Sequence, residues 1–206
     1  MSYPRLTDAH FFYPNHLAPN EVVQRIRDTL DRAANQTVWA NPALYIANLI
    51  ERACFVMGVN PAVILVAFER EQSLLSRERP QSAWRYACGV VGQDGPGTVN
   101  PRWDGLPTQI LLCAELNAWY IGQGPDSNFG YRPGLWPSAS GRWPGHKTVD
   151  IYDAHHNVIL KNRVCASASE YAQLIFTPHL GLGGPEDTNT LDVNAAILAQ
   201  YVPAFA

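Results

Sequence analysis

Charge is scarce in this chain. Only 16% of its 206 residues are Asp, Glu, Lys or Arg, and the formal net charge is -3. Lys and Arg form no basic patch, which argues against nucleic acid as a partner and offers no steering toward an anionic surface. Disorder is excluded as well, because 47% of the residues are hydrophobic and a chain of this length buries a real core. Long apolar runs are missing too. None reaches about 18 residues, so no membrane span is expected. Met1 to His10 has no apolar h-region and does not read as a secretory signal. The export route is left open.

Several chemical signatures are also missing. There is no His-x-x-x-His and no Cys-x-x-Cys spacing, so no metal site is expected. There is no Gly-x-Ser-x-Gly and no phosphate-binding glycine loop, so neither a serine hydrolase nor a nucleotide site is expected. No cofactor is implied. The cysteines number four. Cys54 and Cys113 fall in apolar helical patterns and read as buried free thiols. Cys88 and Cys165 fall at loop-like positions and could pair in an oxidising compartment. Spacing does not choose among the three connectivities.

What the chain does have is Trp, Tyr, Gly and Pro together: six Trp, nine Tyr, 15 Gly and 16 Pro. That mixture suggests ordered, aromatic-lined loops over a helical base. No linker and no repeat is visible, so residues 1–206 read as a single domain. Residues 1–17 form an extended lead. Helices are expected over Pro19 to Ala34, over Leu44 to Met57 opened by Asn41-Pro42 and stopped by Gly58, and over Pro107 to Ile121. Residues 123–147 form a long aromatic loop. Thr148 to Tyr152 and Asn157 to Leu160 read as a β-hairpin. Ser167-Ala168-Ser169-Glu170 is a capping box for another helix, and a last helix covers Leu191 to Tyr201. The fold class is mainly α, an α+β arrangement with a central buried helix, a small hairpin and long rim loops.

That central helix follows Gly58. Asn60 suits the N-cap and Pro61 the first helical position. Ala62 to Phe68 is apolar all round, which marks a buried helix. Its far end carries Glu69, Arg70, Glu71 and Gln72. At about 100° per residue the two glutamates point about 200° apart, so one cleft cannot hold both. Either could emerge into water, and either could be held beside apolar surface, where its pKa would rise. Periodicity does not choose between them.

Three segments carry a resemblance. Pro61 followed by an apolar helix and then Glu71-Gln72-Ser73-Leu74 resembles the catalytic helix of soluble lytic transglycosylases and related lysozyme-like glycosidases. In that family a serine often directly follows the acid, where Gln72 stands here. Ala87-Cys88-Gly89-Val90-Val91-Gly92-Gln93 is similar to the family's Gly-Leu-Met-Gln loop, with one extra residue. Phe176-Thr177-Pro178-His179 is similar to a Tyr-Thr-Pro-His segment in a bacterial, largely cell-wall-associated group of lysozyme-like proteins. That group also carries a version of Arg70-Glu71-Gln72-Ser73 with Lys at the first position. The resemblance spans about residues 41 to 181. It implies a lysozyme-like domain and a glycosidase that cuts a β-linked, N-acetylated polysaccharide, peptidoglycan first, by hydrolysis or transglycosylation outside the cytoplasm. Glu71 would be the general acid. Gln93 would hydrogen-bond an acetamido group.

Other candidates come from the residues themselves. Asp94 and Asp104 lie in the irregular stretch 76–105. Asp94, between Gly92 and Gly95, could serve as a second catalytic carboxylate, although Asp beside Gly is equally common turn chemistry. Trp84, Tyr86, Trp103, Tyr131, Trp136 and Trp143 could stack on sugar rings. Of these, Trp103, Tyr131 and Trp136 are the candidates for the cleft, and the others would anchor core or loops. His179 could reach the cleft or serve as a structural histidine. The expected partner is a polysaccharide bound by a monomer. Three rival readings stand beside this one. One is a glycosidase of the same fold acting on chitin, chitosan or another β-glycan. Another is a catalytically silent glycan-binding protein. The third is an antibacterial effector, which would need an inhibitor or immunity protein.

Overall fold

Pro61 to Phe68 is buried at every position in the computed structural model, which describes residues 6–34, 43–90, 101–122, 148–152, 158–165, 167–176 and 188–205. The elements are α1 (Pro19–Asp31), α2 (Ala43–Met57), α3 (Pro61–Gln72), α4 (Gln81–Trp84) and α5 (Leu106–Gly122), then β1 (Thr148–Tyr152), β2 (Val158–Val164), α6 (Ala168–Phe176) and α7 (Thr188–Tyr201). The chain is mainly helical, with one two-stranded antiparallel sheet among the described residues. The hairpin runs longer on its second strand than expected and pairs Thr148 with Val164 and Tyr152 with Val158.

Helix α3 lies among α2, α5 and α7. The Asn60 side chain accepts a hydrogen bond from the Ala62 amide at 2.9 Å, and Pro61 opens the helix where no N–H is needed. Ile64, Leu65 and Phe68 are wholly buried. Burial of such side chains contributes about 1.5–3 kcal/mol each. Phe68 meets Trp84 of α4 edge to face at a centroid separation of 6.2 Å, so Trp84 is a core anchor. Gly58 ends α2 at φ 67°, as the turn between α2 and α3 requires.

The N-terminal lead does more than extend. Asp8–His10 forms a short 3-10 turn, and Leu6, Phe11 and Tyr13 enter the core. Its backbone is fixed by the α2–α3 connection: Tyr13 N–H donates to Gly58 O at 3.0 Å and Asn60 N–H to Phe11 O at 2.8 Å. Apolar side chains at alternate lead positions find cover beside the buried helix start. The expected capping box at Ser167 is half present. Glu170 N–H donates to Ser167 Oγ at 3.1 Å, while the Glu170 carboxylate takes Arg163 at 2.6 Å.

All four cysteines are free and buried. The Cys88 thiol hydrogen-bonds with Cys113, and Cys54 lies near both. Cys165 sits apart, in a small cluster with Tyr171, Leu174 and Leu191. The pairing of Cys88 with Cys165 that the sequence left open is not formed. Packing of the 85–90 turn on α5 sets Cys88 beside Cys113. Burial pushes the Cys54, Cys88 and Cys165 thiols up, which favours their protonated form. Among the described residues, no helix is long and apolar enough to cross a membrane, and no group of His, Cys, Asp and Glu could hold a metal ion.

Candidate active site at the end of the buried helix

The two glutamates at the end of α3 meet different surroundings. Helix α3 stops when Ser73 turns left-handed, with φ 54° and ψ 39°. The chain then folds back over Glu69. Its carboxylate accepts hydrogen bonds from the Leu75 and Ser76 amides, both at 3.0 Å, and from Ser76 Oγ at 2.5 Å. Glu69 thus supplies acceptors to backbone donors that the helix end leaves free. Its role is structural.

Glu71 lies on another side of the helix. Its side chain is 26% exposed. Its carboxyl rests against Gly89. A Cβ placed on Gly89 would lie 2.5 Å from Glu71 Oε2, 2.7 Å from Cδ and 2.8 Å from Cγ. Gly89 also has φ 66°. Two independent demands therefore call for glycine: a left-handed backbone and the approach of a carboxyl where a side chain would stand.

Among the described residues a cation, Arg70, lies close, with Nε 3.8 Å from Glu71 Oε1. That is beyond hydrogen-bonding range. The guanidinium instead faces α7. It donates to Asn194 Oδ1 at 2.8 Å, and more weakly to Thr190 O at 3.4 Å and Thr190 Oγ1 at 3.3 Å. Asn194 donates in turn to Gln173 Oε1 at 3.1 Å. Neutral acceptors take the hydrogen bonds of the arginine, and its contact with Glu71 is a longer, purely electrostatic one. Burial raises the Glu71 pKa above its ordinary value, and Arg70 opposes the rise. Burial thus favours the protonated carboxyl, the form that can donate a proton to a leaving oxygen.

The turn that carries Gly89 is fixed by Gln109 of α5, a residue that no motif singled out. Gln109 is fully buried. Its Oε1 accepts from Cys88 N–H at 3.3 Å and Val90 N–H at 3.1 Å. Its Nε2 donates to Val90 O at 2.7 Å and Trp103 O at 2.6 Å. Trp103 is half-buried in a 3-10 turn over Pro101–Trp103 and packs against the core. The same amide therefore ties the Trp103 backbone to the turn beneath Glu71.

Asp104 is not available as a free second carboxylate. Arg85 grips it with both Nε and Nη2, the Nε contacts being 2.8 Å, and this pair holds the Asp104 carboxyl below its ordinary range. Arg85 also lies 5.7 Å above the Tyr86 ring. Gln93, Asp94, Tyr131, Trp136 and His179 lie outside the described residues. Two cavities occur elsewhere. One, of about 30 Å³, opens on the Arg70 side among Val63, Ala67, Asn117 and Asn194. The other, of about 410 Å³, lies at the opposite end of α3 beside Asn60, His10 and Arg25. Glu71 lines neither.

No family model matches the chain, and it matches no curated protein and no solved structure.

Proposed function

We propose that this chain is a lysozyme-like glycosidase that cleaves a β-linked, N-acetylated polysaccharide, with peptidoglycan as the first substrate class. Glu71 is the general acid. One observation carries the reading: the Glu71 carboxyl ends a buried apolar helix and seats on the bare Cα of Gly89, and among the described residues its cation contact is Arg70 at 3.8 Å. Burial favours the protonated form of such an acid, the form that can deliver a proton to a glycosidic oxygen. The resemblance of the 61–75 and 87–93 segments to lytic transglycosylases gains support from their contact in space, since Glu71 and Gly89 come from those two segments. A half-buried Trp103 close to the same turn suits a sugar face. The reaction needs no metal. The polysaccharide is the partner, and the working unit is a monomer.

The test is digestion of purified cell-wall sacculi, read by mass spectrometry of the fragments. Wild type should release disaccharide-peptides, ending either in a reducing sugar or in an anhydro sugar. Glu71→Gln should lower the rate about 100- to 10,000-fold, the usual worth of a positioned general acid, with an unchanged circular dichroism spectrum. Equal rates for wild type and variant would remove Glu71 from the mechanism. Release from chitin oligomers but not from sacculi would move the substrate to the chitin class. Glycan binding with no product from wild type would leave a binding protein.

A further inference from the structure

Helix α5 buries two side-chain amides that handle their burial in opposite ways. Asn117 returns its donor to its own helix, to Cys113 O at 2.8 Å. That is the ordinary way for a polar side chain to satisfy itself inside a helix bundle. Gln109 gives nothing to α5. All four of its bonds go to backbone groups of other segments: two amides and a carbonyl on either side of Gly89, and the carbonyl of Trp103. Cys88 and Val90 are themselves buried, so without Gln109 those backbone groups would face no water. Gly89 is fixed as well by its own N–H, which donates to Tyr86 O at 2.9 Å. The pattern is that of a clamp on both shoulders of one residue, the residue that touches the acid.

We propose that Gln109 is the positioning residue of this site: its amide bridges Cys88, Val90 and Trp103 and so holds the Gly89 Cα against the Glu71 carboxyl. The proposal rests on the reading of Glu71 as an acid for its catalytic meaning, but not for its geometry. Gln109 touches no substrate. It acts through the turn. Loss of its four bonds would let the 88–90 turn lift, and water would reach the carboxyl that the turn now covers. A buried amide whose bonds go to other segments also explains why a glutamine directly precedes the apolar Ile110, Leu111 and Leu112.

The experiment uses the full chain with ¹³C-labelled glutamate carboxyl groups, the Glu71 signal being assigned by its absence in Glu71→Gln. Gln109→Met keeps the volume and removes all four bonds. In a folded Gln109→Met protein the Glu71 titration midpoint should fall toward the ordinary glutamate value, and kcat on sacculi should drop on the order of a hundredfold, as expected when a catalytic contact moves by about 1 Å. An unchanged Glu71 midpoint in that folded variant would overturn the proposal. If the midpoint falls but wild type digests no polysaccharide, the clamp stands and the glycosidase reading fails. If Gln109→Met does not fold, hydrogen exchange of the wild-type Cys88 and Val90 amides decides. Protection as strong as that of α3 supports the clamp, and exchange at the rate of an open loop overturns it.

Discussion

Glu69 and Glu71 stand two residues apart at the end of one helix, yet their surroundings are opposite. Glu69 accepts three hydrogen bonds from the turn at Leu75 and Ser76. Glu71 faces a glycine and, at 3.8 Å, an arginine whose hydrogen bonds go to α7. The first arrangement consumes the carboxylate's acceptor capacity and spends it on the fold. The second leaves a carboxyl under-served and costs stability whenever it ionises. Such groups cluster at sites where chemistry needs a proton, and this is the physical content of the proposal.

The contrast predicts a division of labour between the two sites. Glu71→Gln should remove turnover and leave the fold. The next largest effect is expected at Gly89. Gly89→Ala would force a methyl to within 2.5 Å of Glu71 Oε2 at φ 66°. Overpacking and the left-handed backbone together should destabilise the protein by about 2–4 kcal/mol. Gly105 provides the control. It has φ 99° and open space around its Cβ position, so Gly105→Ala carries the backbone cost alone, about 1–2 kcal/mol. Equal losses in urea melts would mean that the Glu71 contact contributes nothing.

Glu69→Gln should reverse the Glu71 pattern. An amide keeps one acceptor oxygen but turns donors toward the N–H of Leu75 or Ser76. A stability loss of about 1–3 kcal/mol is expected, as for a partly buried group left without its partner. Digestion of sacculi should continue at the wild-type rate. Loss of activity in a fully folded Glu69→Gln protein would break the distinction between the two glutamates.

Much of the helical frame was legible in the sequence, because it rests on local rules. Asn60-Pro61 and Gly58 mark the ends of their helices as written, and the apolar run 62–68 announces a buried helix. The choice between the glutamates was not legible. It depends on where Ser73 turns the chain and on which side the 88–90 turn packs, and both are tertiary facts. Gln109 was invisible for the same reason. Cys88 and Val90 lie about twenty positions earlier and Trp103 lies six positions earlier, and one glutamine in a helical pattern carries no local signal. The surroundings of Cys88 were open for the same reason: a loop-like position says nothing about which helix the loop will cover.

The smallest effect is the pH dependence, and it probes the comparison without any assay of function. Burial raises the Glu71 pKa in the folded protein, with Arg70 pulling the other way. For an acid with a raised folded pKa, the protonated folded state is the favoured one. Its contribution to stability is complete below the unfolded value, at about pH 4, and is lost as pH rises through the folded value. Glutamine stays neutral throughout. The melting temperature of Glu71→Gln minus that of wild type should therefore be smallest in acid, grow as pH climbs from the ordinary carboxyl range through the folded pKa of Glu71, and level off above it. Differential scanning fluorimetry across that range measures the curve. A difference that stayed flat, or shrank with rising pH, would mean that the folded state does not penalise the Glu71 carboxylate. Gly89 would then cover an ordinary surface acid, and the two ends of the comparison would be the same.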